Sequence, residues 1–324
     1  MDGKAIKKIG LLTSGGDGPG MNAAIRSVVR CALYHKLSVA GIIRGYQGLI
    51  DDDVIDMNHR SVSNIINQGG TILKTARCEE FRTEEGQAKA IKTLKQHQID
   101  ALIVIGGDGS YKGAVELYEK FGFPVIGLPG TIDNDLYGTD QTIGCMTAVN
   151  TALESIDKIR DTVQSMERIF VIEVMGNKSG FIALEVALGG GAEDVIIPEK
   201  PANYEVLCKR IRDGHKIGKN SWIIITAEGA AKAADVAKTI TMMTKLETRY
   251  VVLGHVQRGG IPTASDRILG TRLGAAAVDL LRKGISGKAV GVLQDNINVV
   301  DLKEARKVEC SRVKEYLDLI RILT

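Results

Sequence analysis

Strand-length apolar runs, glycine-containing turns and helical patterns alternate along the chain, most clearly near its middle. Residues 101–105 form an apolar run of buried-strand length, a helical pattern follows to about Phe121, and a second strand is predicted from Pro124 to Leu128. The connection between two such parallel strands is nearly always right-handed, and both strands then end at the same edge of the sheet. The turns at 106–110 and 129–135 are therefore predicted to face one crevice, where ligands bind in open α/β sheets.

The same alternation continues through both halves of the chain. Further strands are predicted at residues 5–12, 39–46, 168–174, 194–197, 222–226 and 250–254. Helices are predicted around the apolar positions 25, 28, 29, 32 and 33, and over residues 61–70, 84–97 and about 145–162. Because the order of strand, turn and helix restarts after the last of these helices, the sequence predicts two similar α/β domains that face each other.

Composition and charge narrow the class of protein. Of 324 residues, 44% are hydrophobic and 25% are charged, which is typical of a globular protein with a sizeable core and room for two domains. A net charge of +3 and an aromatic content of 4% do not favour nucleic-acid binding. The five cysteines form no CxxC pair, which predicts reduced thiols and a cytoplasmic location. No signal-peptide core or membrane-length apolar run is found, so no membrane association is expected.

The turn at 106–110 has the chemistry of a phosphate site. Its three glycines let the backbone N–H groups approach a ligand closely, and Ser110 is placed to cap the next helix, whose N-terminus attracts anions. Asp108 would add negative charge beside a phosphate, which is favourable only with a cation between them. Mg²⁺ is suited to that place because it takes one or two carboxylates together with phosphate oxygens.

The turn at 129–135 adds two carboxylates, Asp133 and Asp135, just after Thr131. One of these carboxylates is placed to take a proton from a hydroxyl group. Aspartate and glycine also occur in turns that bind nothing. Two such turns in one β-α-β unit favour the interpretation as a site.

Residues 13–20 form a second glycine-rich turn before a helix, and therefore a second candidate phosphate cradle. It is not a P-loop, because no Gly-Lys-Ser/Thr follows, and it lacks the glycine spacing and the acidic residue of a dinucleotide site. Arg77, in a polar loop, is a candidate phosphate contact. His255 and Arg258 follow a strand and precede two glycines, which is a plausible grip for an oxyanion.

Five motifs together resemble those of bacterial ATP-dependent 6-phosphofructokinases, the phosphofructokinase type A family. In chain order they read TSGGDGPGMNAAIR, GGDGSYKGA, GLPGTIDND, VMGNKSG and LGHVQRGG. The match runs from about Ile6 to Leu302. It implies transfer of the ATP γ-phosphoryl group to O1 of fructose 6-phosphate with Mg²⁺, the committing step of glycolysis, in a cytoplasmic homotetramer.

The resemblance also implies an architecture. Two Rossmann-like three-layer α/β/α domains with mostly parallel sheets are expected, with the active site in the cleft between them. The larger, ATP-binding domain would comprise residues 1–143 and about 257–305. The smaller domain, which binds fructose 6-phosphate, would comprise residues 144–256 and about 306–324.

Roles carry over to the positions that match the family's motifs. Asp133 would be the base, assisted by Thr131 and Asp135, and Asp108 would hold Mg²⁺. The residues lining the ATP site would be Gly16, Tyr46, Arg77, Cys78, Gly107, Asp108, Gly109 and Ser110. Those holding the sugar phosphate would be Thr131, Ile132, Asp133, Met175, Gly176, Asn177, Glu228, His255 and Arg258, with Arg168 and Arg249 from a neighbouring subunit. The effector site, where ADP activates and phosphoenolpyruvate inhibits, would comprise Arg26, Arg30, Arg160, Gly191, Glu193, Lys219, Asn220 and Ser221.

Several positions depart from the family's usual residues. Asn177 stands where an arginine is usual, which removes a cation from the active site, and Cys78 stands where an aromatic residue is common. Ile217, Asn220 and Ser221 replace cationic or polar donors of the effector segment. Because each charge-assisted bond lost weakens the coupling between effector and active sites, regulation by ADP and phosphoenolpyruvate is expected to be shallow.

Three alternatives follow from the same residues. Pyrophosphate-dependent members of the family usually have Asp in place of Gly109 and Lys in place of Gly130, so the two glycines favour ATP. A dinucleotide-dependent oxidoreductase would need a different glycine spacing and an acidic residue that is absent here. A non-catalytic sensor of sugar phosphates would have no need of Asp108 and Asp133, and both are present.

Overall fold

The structure is a computed structural model that describes residues 6–306 and 313–324. The described residues divide into two compact units. Unit 1 lies within Met1–Thr147 and Arg258–Glu309, and unit 2 lies within Ala148–Gln257 and Cys310–Thr324. The predicted division of ligands between two domains, and the predicted cleft, stay predictions.

The strands of the described residues are, in chain order, β1 (Lys8–Thr13), β2 (Ser38–Ile42), β3 (Val54–Met57), β4 (Ala101–Gly106), β5 (Val125–Thr131), β6 (Ile143–Gly144), β7 (Ile169–Val174), β8 (Asp194–Ile196), β9 (Trp222–Ala227), β10 (Thr248–Val252), β11 (Lys288–Leu293) and β12 (Asn296–Asp301). The α-helices are α1 (Met21–Tyr34), α2 (Tyr46–Ile50), α3 (Glu84–Gln96), α4 (Asp108–Phe121), α5 (Cys145–Met166), α6 (Phe181–Gly189), α7 (Tyr204–Lys216), α8 (Ala233–Thr244), α9 (Ala264–Arg282) and α10 (Val313–Ile322). None of these helices is both long enough and apolar enough to cross a bilayer.

Unit 1 is built on an eight-stranded sheet with the order β12-β11-β5-β4-β1-β2-β3, and β6 pairs with β5. Its central strands are parallel, whereas β3 and β12 are antiparallel to their neighbours. The chain leaves β1 toward β2 on one side and returns to β4 on the other. This reversal of strand order between β1 and β4 is the position at which open α/β sheets bind ligands.

The central strand β4 is buried on both faces, which explains its unbroken apolar sequence. Ile103 and Ile105 pack against residues of α1 and α9. Leu102 and Val104 point to the opposite face and pack with residues of α3 and α4. Because successive side chains of a strand alternate between faces, one strand contributes to both cores of a three-layer unit.

Unit 2 contains a four-stranded parallel sheet with the order β10-β7-β9-β8. Val171 of β7 and Ile224 of β9 belong to a core shared with α7 and α8. Helix α6 packs against β8 and β9. The predicted α/β fold class with mostly parallel sheets is confirmed.

The predicted helix at 61–70 is wrong, because these residues form successive turns. The Asn22 side chain donates to the Gln68 and Gly69 carbonyl oxygens at 3.1 and 3.3 Å and accepts from the Ile72 amide at 2.8 Å. Asn64 has a positive φ of 56°, which a helix does not allow. Bonds to a distant asparagine thus replace the helical bonds that the local pattern suggested.

The predicted strand at 39–46 ends early, at Ile42. Arg44 and Gly45 have positive φ angles and turn the chain, so that Tyr46 begins α2. Strands β3 and β12 were not predicted, because their patterns are largely exposed and a buried apolar run is missing.

Candidate active site and effector cluster

Three loops of unit 1 meet at the carboxyl edge of its sheet, following β1, β4 and β5. The Ser14 amide donates to the Ile105 carbonyl oxygen at 3.0 Å, which joins the first loop to the second. A Cβ atom at Gly107 would stand 3.4 Å from Thr131 Cβ, so the second loop touches the third. The two glycine-rich turns and the aspartate-containing turn thus adjoin one another, as their positions in the sheet require.

Arg258 lies directly over the first loop. A Cβ atom at Gly16 would overlap the Arg258 guanidinium group, so a side chain at this position would displace Arg258 from the loop. Within the described part of the chain, neither Arg258 Nε nor the buried Ser110 Oγ has a hydrogen-bond partner. Unsatisfied buried donors are unfavourable unless a ligand or water completes them. Two such donors beside a helix N-terminus suit an anion such as phosphate.

Two glycines of the candidate nucleotide site have opposite surroundings. Among the described residues, no atom lies within 4 Å of the Cβ position at Gly109, so this position borders open space. At Gly130 a Cβ atom would stand 2.8 Å from Ile105 Cγ2 and 2.9 Å from Met21 Cε. The chain can accept a side chain at Gly109 and cannot accept one at Gly130 without moving its core.

Tyr46 supports the first turn of α4. This helix begins at Asp108, with Gly107 at the N-cap and no side-chain cap bond, so the predicted capping role of Ser110 is wrong. The Tyr46 hydroxyl group donates to the Ser110 carbonyl oxygen at 2.6 Å, and the Tyr46 ring stacks on Phe81 with 4.1 Å between centroids. Burial raises the pKa of the Tyr46 hydroxyl, so the group remains a donor. The contribution of Phe81 was not predicted, because Phe81 is a single aromatic residue within a polar loop.

Arg77 and Cys78 lie on the same polar loop as Phe81, and the structure leaves Arg77 exposed. Thr13 Oγ1 donates to the Lys74 carbonyl oxygen at 2.9 Å, which holds this loop beside the end of β1. Cys78 is half-buried. Burial raises the pKa of its thiol, and the carboxylates nearby raise it further, so Cys78 is a poor nucleophile.

The loop after β5 is fixed by its own polar residues. The Asp133 amide donates to Thr131 Oγ1 at 3.2 Å, and Ile132 is buried. The Asn134 side chain donates to the Asp140 carbonyl oxygen at 3.0 Å and accepts from the Thr142 amide at 2.8 Å. Asn134 was not predicted as a positioning residue, because its partners lie six and eight residues further along the chain.

Asp108 and Asp135 form an acidic pair in this part of unit 1. Burial raises the pKa of the Asp135 carboxyl, and the negative charge of Asp108 raises it further. Asp108 is 44% exposed and accepts from Arg306 Nε at 2.9 Å. Among the described residues, no three His, Cys, Asp or Glu side chains are grouped as a metal site. An accessible carboxylate beside a second one nevertheless fits Mg²⁺ that arrives with phosphate oxygens.

Unit 2 has a second group of loops at the carboxyl edge of its sheet. The Asn177 amide donates to Glu228 Oε1 at 3.1 Å, which joins the loops after β7 and β9. Gly176, on the loop after β7, has a φ of 138°, a conformation that favours glycine. Met175 is buried, and His255 lies on the turn that follows β10. The sheet therefore brings residues predicted for the sugar phosphate to one edge.

Arg168 and Arg249 lie at the opposite end of the same sheet. Arg168 Nε is 3.5 Å from Glu247 Oε2, and Arg249 also pairs with Glu247. The six residues of β7 separate Arg168 from Met175, a length of roughly 20 Å at 3.3 Å per residue. Within one chain, the structure does not bring these arginines to the loops that contain Met175 and Glu228.

Four of the predicted effector residues form a cluster in unit 2. Lys219 Nζ is 3.5 Å from Glu193 Oε1, while Glu193 Oε2 accepts from the Ile223 amide at 2.6 Å. Arg160 donates to the Gly191 carbonyl oxygen at 3.0 Å. A cavity of about 60 Å³ lies among Gly191, Glu193 and Lys219. The ammonium group of Lys219 is also 4.7 Å from the centre of a Trp222 ring.

Asn220 and Ser221, two other predicted effector residues, bind other parts of unit 2. Asn220 Nδ2 donates to Glu167 Oε2 at 3.2 Å, and Ser221 Oγ donates to the Val163 carbonyl oxygen at 3.2 Å. Both side chains are thus bound to the end of α5 and its following turn. Arg26 and Arg30 lie half-buried on α1 of unit 1.

Comparison with known proteins identifies the family. The phosphofructokinase family model matches residues 8–281, which is most of the chain. The chain belongs to the phosphofructokinase family. The resemblance predicted from the five motifs is therefore confirmed.

Relatives within the phosphofructokinase family match over nearly the full length. A protein of Clostridium botulinum strain Hall is 53% identical over 319 residues, and one of Clostridioides difficile is 51% identical over 319 residues. A relative from Halothermothrix orenii is 50% identical over 331 residues. Each alignment covers 98% of this chain and all of the relative, and each relative is described as an ATP-dependent 6-phosphofructokinase.

Solved phosphofructokinase structures share the fold. The phosphofructokinase from Saccharomyces cerevisiae is 35% identical with a TM-score of 0.86, and the alignment covers 97% of this chain. This chain spans 47% of the yeast chain, about half its length. A pyrophosphate-dependent phosphofructokinase from Nitrosospira multiformis, 21% identical, aligns with a TM-score of 0.84 over 97% of this chain and 92% of its own. At that identity the likeness shows the fold alone.

Proposed function

We propose that this protein is an ATP-dependent 6-phosphofructokinase that transfers the γ-phosphoryl group of ATP to O1 of fructose 6-phosphate. One observation carries the proposal: in unit 1 the loops after β1, β4 and β5 meet beside the Arg258 guanidinium and the buried Ser110 hydroxyl. Phosphoryl transfer requires chiefly positioning and stabilisation of negative charge, and this arrangement supplies both. The names of the close relatives support the same reaction.

The ATP polyphosphate would lie along the two glycine-rich loops, with Gly16, Gly107, Gly109 and Ser110 offering backbone and hydroxyl donors. Tyr46 positions Ser110 through the 2.6 Å bond to its carbonyl oxygen. The neighbouring loop would add Arg77 and Cys78 at the nucleoside end. Mg²⁺, held by Asp108, would neutralise charge on the polyphosphate.

Asp133 would act as the base that accepts the proton of the sugar hydroxyl at O1. Thr131 and Asn134 keep the loop in one conformation, so that the carboxylate is positioned before the substrate binds. Asp135 is buried beside Asp108 and would assist electrostatically rather than as a second base.

The sugar phosphate would be held by Ile132, Met175, Gly176, Asn177, Glu228, His255 and Arg258. Arg168 and Arg249 would be supplied by a neighbouring subunit of a homotetramer. Their position at the far end of the unit 2 sheet supports a site shared between chains, because neither arginine can span roughly 20 Å to the loop at Met175.

The donor is proposed to be ATP rather than pyrophosphate. Open space at Gly109 leaves room for a nucleoside, and a lysine at Gly130 would require the packed side chains around it to move. The test is a coupled assay of purified protein with fructose 6-phosphate, Mg²⁺ and either ATP or pyrophosphate. Formation of fructose 1,6-bisphosphate with ATP alone is expected, and comparable rates with pyrophosphate would contradict the choice of donor.

Regulation is proposed to be shallow. The cluster of Arg160, Gly191, Glu193 and Lys219 would bind ADP or phosphoenolpyruvate, with Arg26 and Arg30 as further cations. Asn220 and Ser221 are engaged with other parts of unit 2 and offer fewer charged donors than the family's usual residues. Nearly hyperbolic saturation with fructose 6-phosphate is expected, with little change at millimolar phosphoenolpyruvate. A sigmoidal curve that ADP restores to a hyperbola would contradict this.

The proposed role is the committing step of glycolysis in the cytoplasm. Membership of the phosphofructokinase family supports a kinase of this pathway. Neither the chain's small net charge nor its composition suggests nucleic acid as a partner.

A further inference from the structure

Arg306 forms an ion pair with the carboxylate that is proposed to hold Mg²⁺. Arg306 Nε donates to Asp108 Oδ1 at 2.9 Å, and the side chains of Arg306 and Asp108 are 31% and 44% exposed. The two residues are separated by 198 positions in the sequence. A contact of this separation depends on the fold of unit 1 and not on neighbouring residues of one helix.

The segment that leads to Arg306 is anchored to α4 and to the Tyr137 backbone. Lys303 Nζ lies 3.2 Å from Glu119 Oε1 near the end of α4, whereas Arg306 reaches Asp108 at its beginning. The Ala305 carbonyl oxygen accepts from the Tyr137 amide at 3.1 Å, and Ala305 itself is buried. The guanidinium group is therefore delivered to Asp108 by a docked turn, which reduces the entropy lost when the ion pair forms.

The guanidinium and a divalent cation would use the same oxygens. The accessible Asp108 carboxylate has two oxygens, and Arg306 Nε donates to one of them, Oδ1. The ion pair with Arg306 gives the Asp108 carboxylate a cationic partner within the chain. Arg306 supplies that cation before nucleotide binds.

We propose that Arg306 is a positioning residue that competes with the divalent cation for Asp108 and sets the metal concentration at which the nucleotide complex forms. The inference deepens the proposed function and rests on it for the assignment of the metal to Asp108. A partly exposed ion pair contributes at most about 1 kcal/mol, which corresponds to roughly a fivefold change in affinity. Removing the competitor should therefore tighten metal binding by roughly two- to fivefold.

The test measures binding of Mn²⁺ directly, by the electron paramagnetic resonance signal of free Mn²⁺, with a non-hydrolysable ATP analogue present. Arg306→Gln is expected to tighten Mn²⁺ binding, and Arg306→Lys, which keeps the charge, to bind as the wild type does. Arg272→Gln is the matched control, because Arg272 also pairs with an exposed aspartate, Asp295, on unit 1. The difference between Arg306→Gln and wild type should shrink in high salt, because salt screens exposed charges.

Two further variants separate this inference from the proposed reaction. In an Asp108→Asn background, Arg306→Gln should no longer alter Mn²⁺ binding. Mn²⁺ binding in Arg306→Gln that is unchanged, or weaker than in Arg272→Gln, would overturn the competition. If the wild type phosphorylates fructose 6-phosphate but Arg306→Gln and the wild type bind Mn²⁺ with the same affinity, the inference alone fails. If Arg306→Gln binds Mn²⁺ more tightly but no protein shows kinase activity, the proposed reaction alone fails.

Discussion

Individual side chains in unit 1 hold the candidate site in one conformation, and only some of them were predictable. Asp108 begins α4 just after the buried strand β4, and Asp133 and Asp135 follow the buried strand β5, so residue type and position were enough to single them out. Asn134 and Arg306 were missed, because their roles depend on partners that the fold brings close. Local sequence therefore predicts which groups can do chemistry, and tertiary contacts decide what holds them.

Replacement of Asp133 by asparagine tests the proposed base. Asp133→Asn keeps the shape of the side chain and removes its basicity, so turnover should fall by ~10²–10⁴-fold while the KM values for ATP and fructose 6-phosphate change little. Steady-state kinetics measures this. Asp56→Asn, which removes an exposed carboxylate on β3, is the control and should leave turnover unchanged. Near wild-type turnover in Asp133→Asn would rule out this base.

Replacement of Asp135 by asparagine should change the pH dependence of stability. Burial and the charge of Asp108 raise the pKa of Asp135 above 3.8, so its protonated form favours the folded state. That contribution is complete below pH 3.8 and is lost as the pH rises through the raised pKa. The asparagine side chain of the variant is neutral at every pH, so the Tm advantage of Asp135→Asn should grow in Mg²⁺-free buffer as the pH rises from about 4 through the raised pKa of Asp135. A difference that does not vary with pH would contradict the shift.

At the scale of elements, most buried apolar strands were predicted correctly, whereas the buried strand β11 and segments with distant partners were not. Strand β4 is apolar on both faces because cores lie on both sides of it, and its sequence shows this directly. Residues 61–70 have a helical pattern, yet Asn22 takes up their backbone groups. Edge strands β3 and β12 pair with only one neighbour each, so their sequences need no continuous apolar run.

Asn22 should therefore be essential to the turns at 61–72. Asn22→Ala leaves partly buried backbone groups of Gln68 and Ile72 without their partner, at a cost on the order of 1 kcal/mol. The expected results are a lower Tm and faster hydrogen exchange of the Ile72 amide. Asn58→Ala, which removes an exposed asparagine from a nearby turn, is the control. If the Ile72 amide exchanges at the same rate in Asn22→Ala as in the wild type, the turns at 61–72 do not depend on the Asn22 side chain.

At the scale of the whole molecule, the order of the strands explains where the loops lie. It does not explain which residues Arg168 and Arg249 would contact in the proposed sugar-phosphate site. The reversal between β1 and β4 explains why both glycine-rich turns adjoin each other. The rhythm of strand and helix predicted two sheets, whereas their sizes, eight and four strands, depend on pairings of residues far apart in sequence. Arg168 and Arg249 lie away from the other sugar-phosphate candidates of unit 2, as residues at strand starts must, and strand order alone does not show what they would contact.

Mixing two inactive variants tests whether sites are shared. Asp133→Asn and Arg168→Ala chains should each be inactive as homotetramers. After the two are unfolded and refolded together, some shared sites would combine an intact Asp133 with an intact Arg168 from another chain, and partial activity should return. Light scattering should report a tetramer for each parent variant and for the refolded mixture. Mixed tetramers no more active than either parent would argue for a site within one chain.

Lys219, in the proposed effector cluster, lies over the only tryptophan of the chain, and this gives the molecule an optical probe of its own. All indole emission of the protein therefore originates at Trp222, 3% exposed and in contact with Lys219. A ligand that draws the ammonium group away alters the electric field across the ring, and with it the wavelength and intensity of the emitted light. Ligand binding to the cluster can therefore be followed by Trp222 fluorescence, without a label, a substrate or turnover.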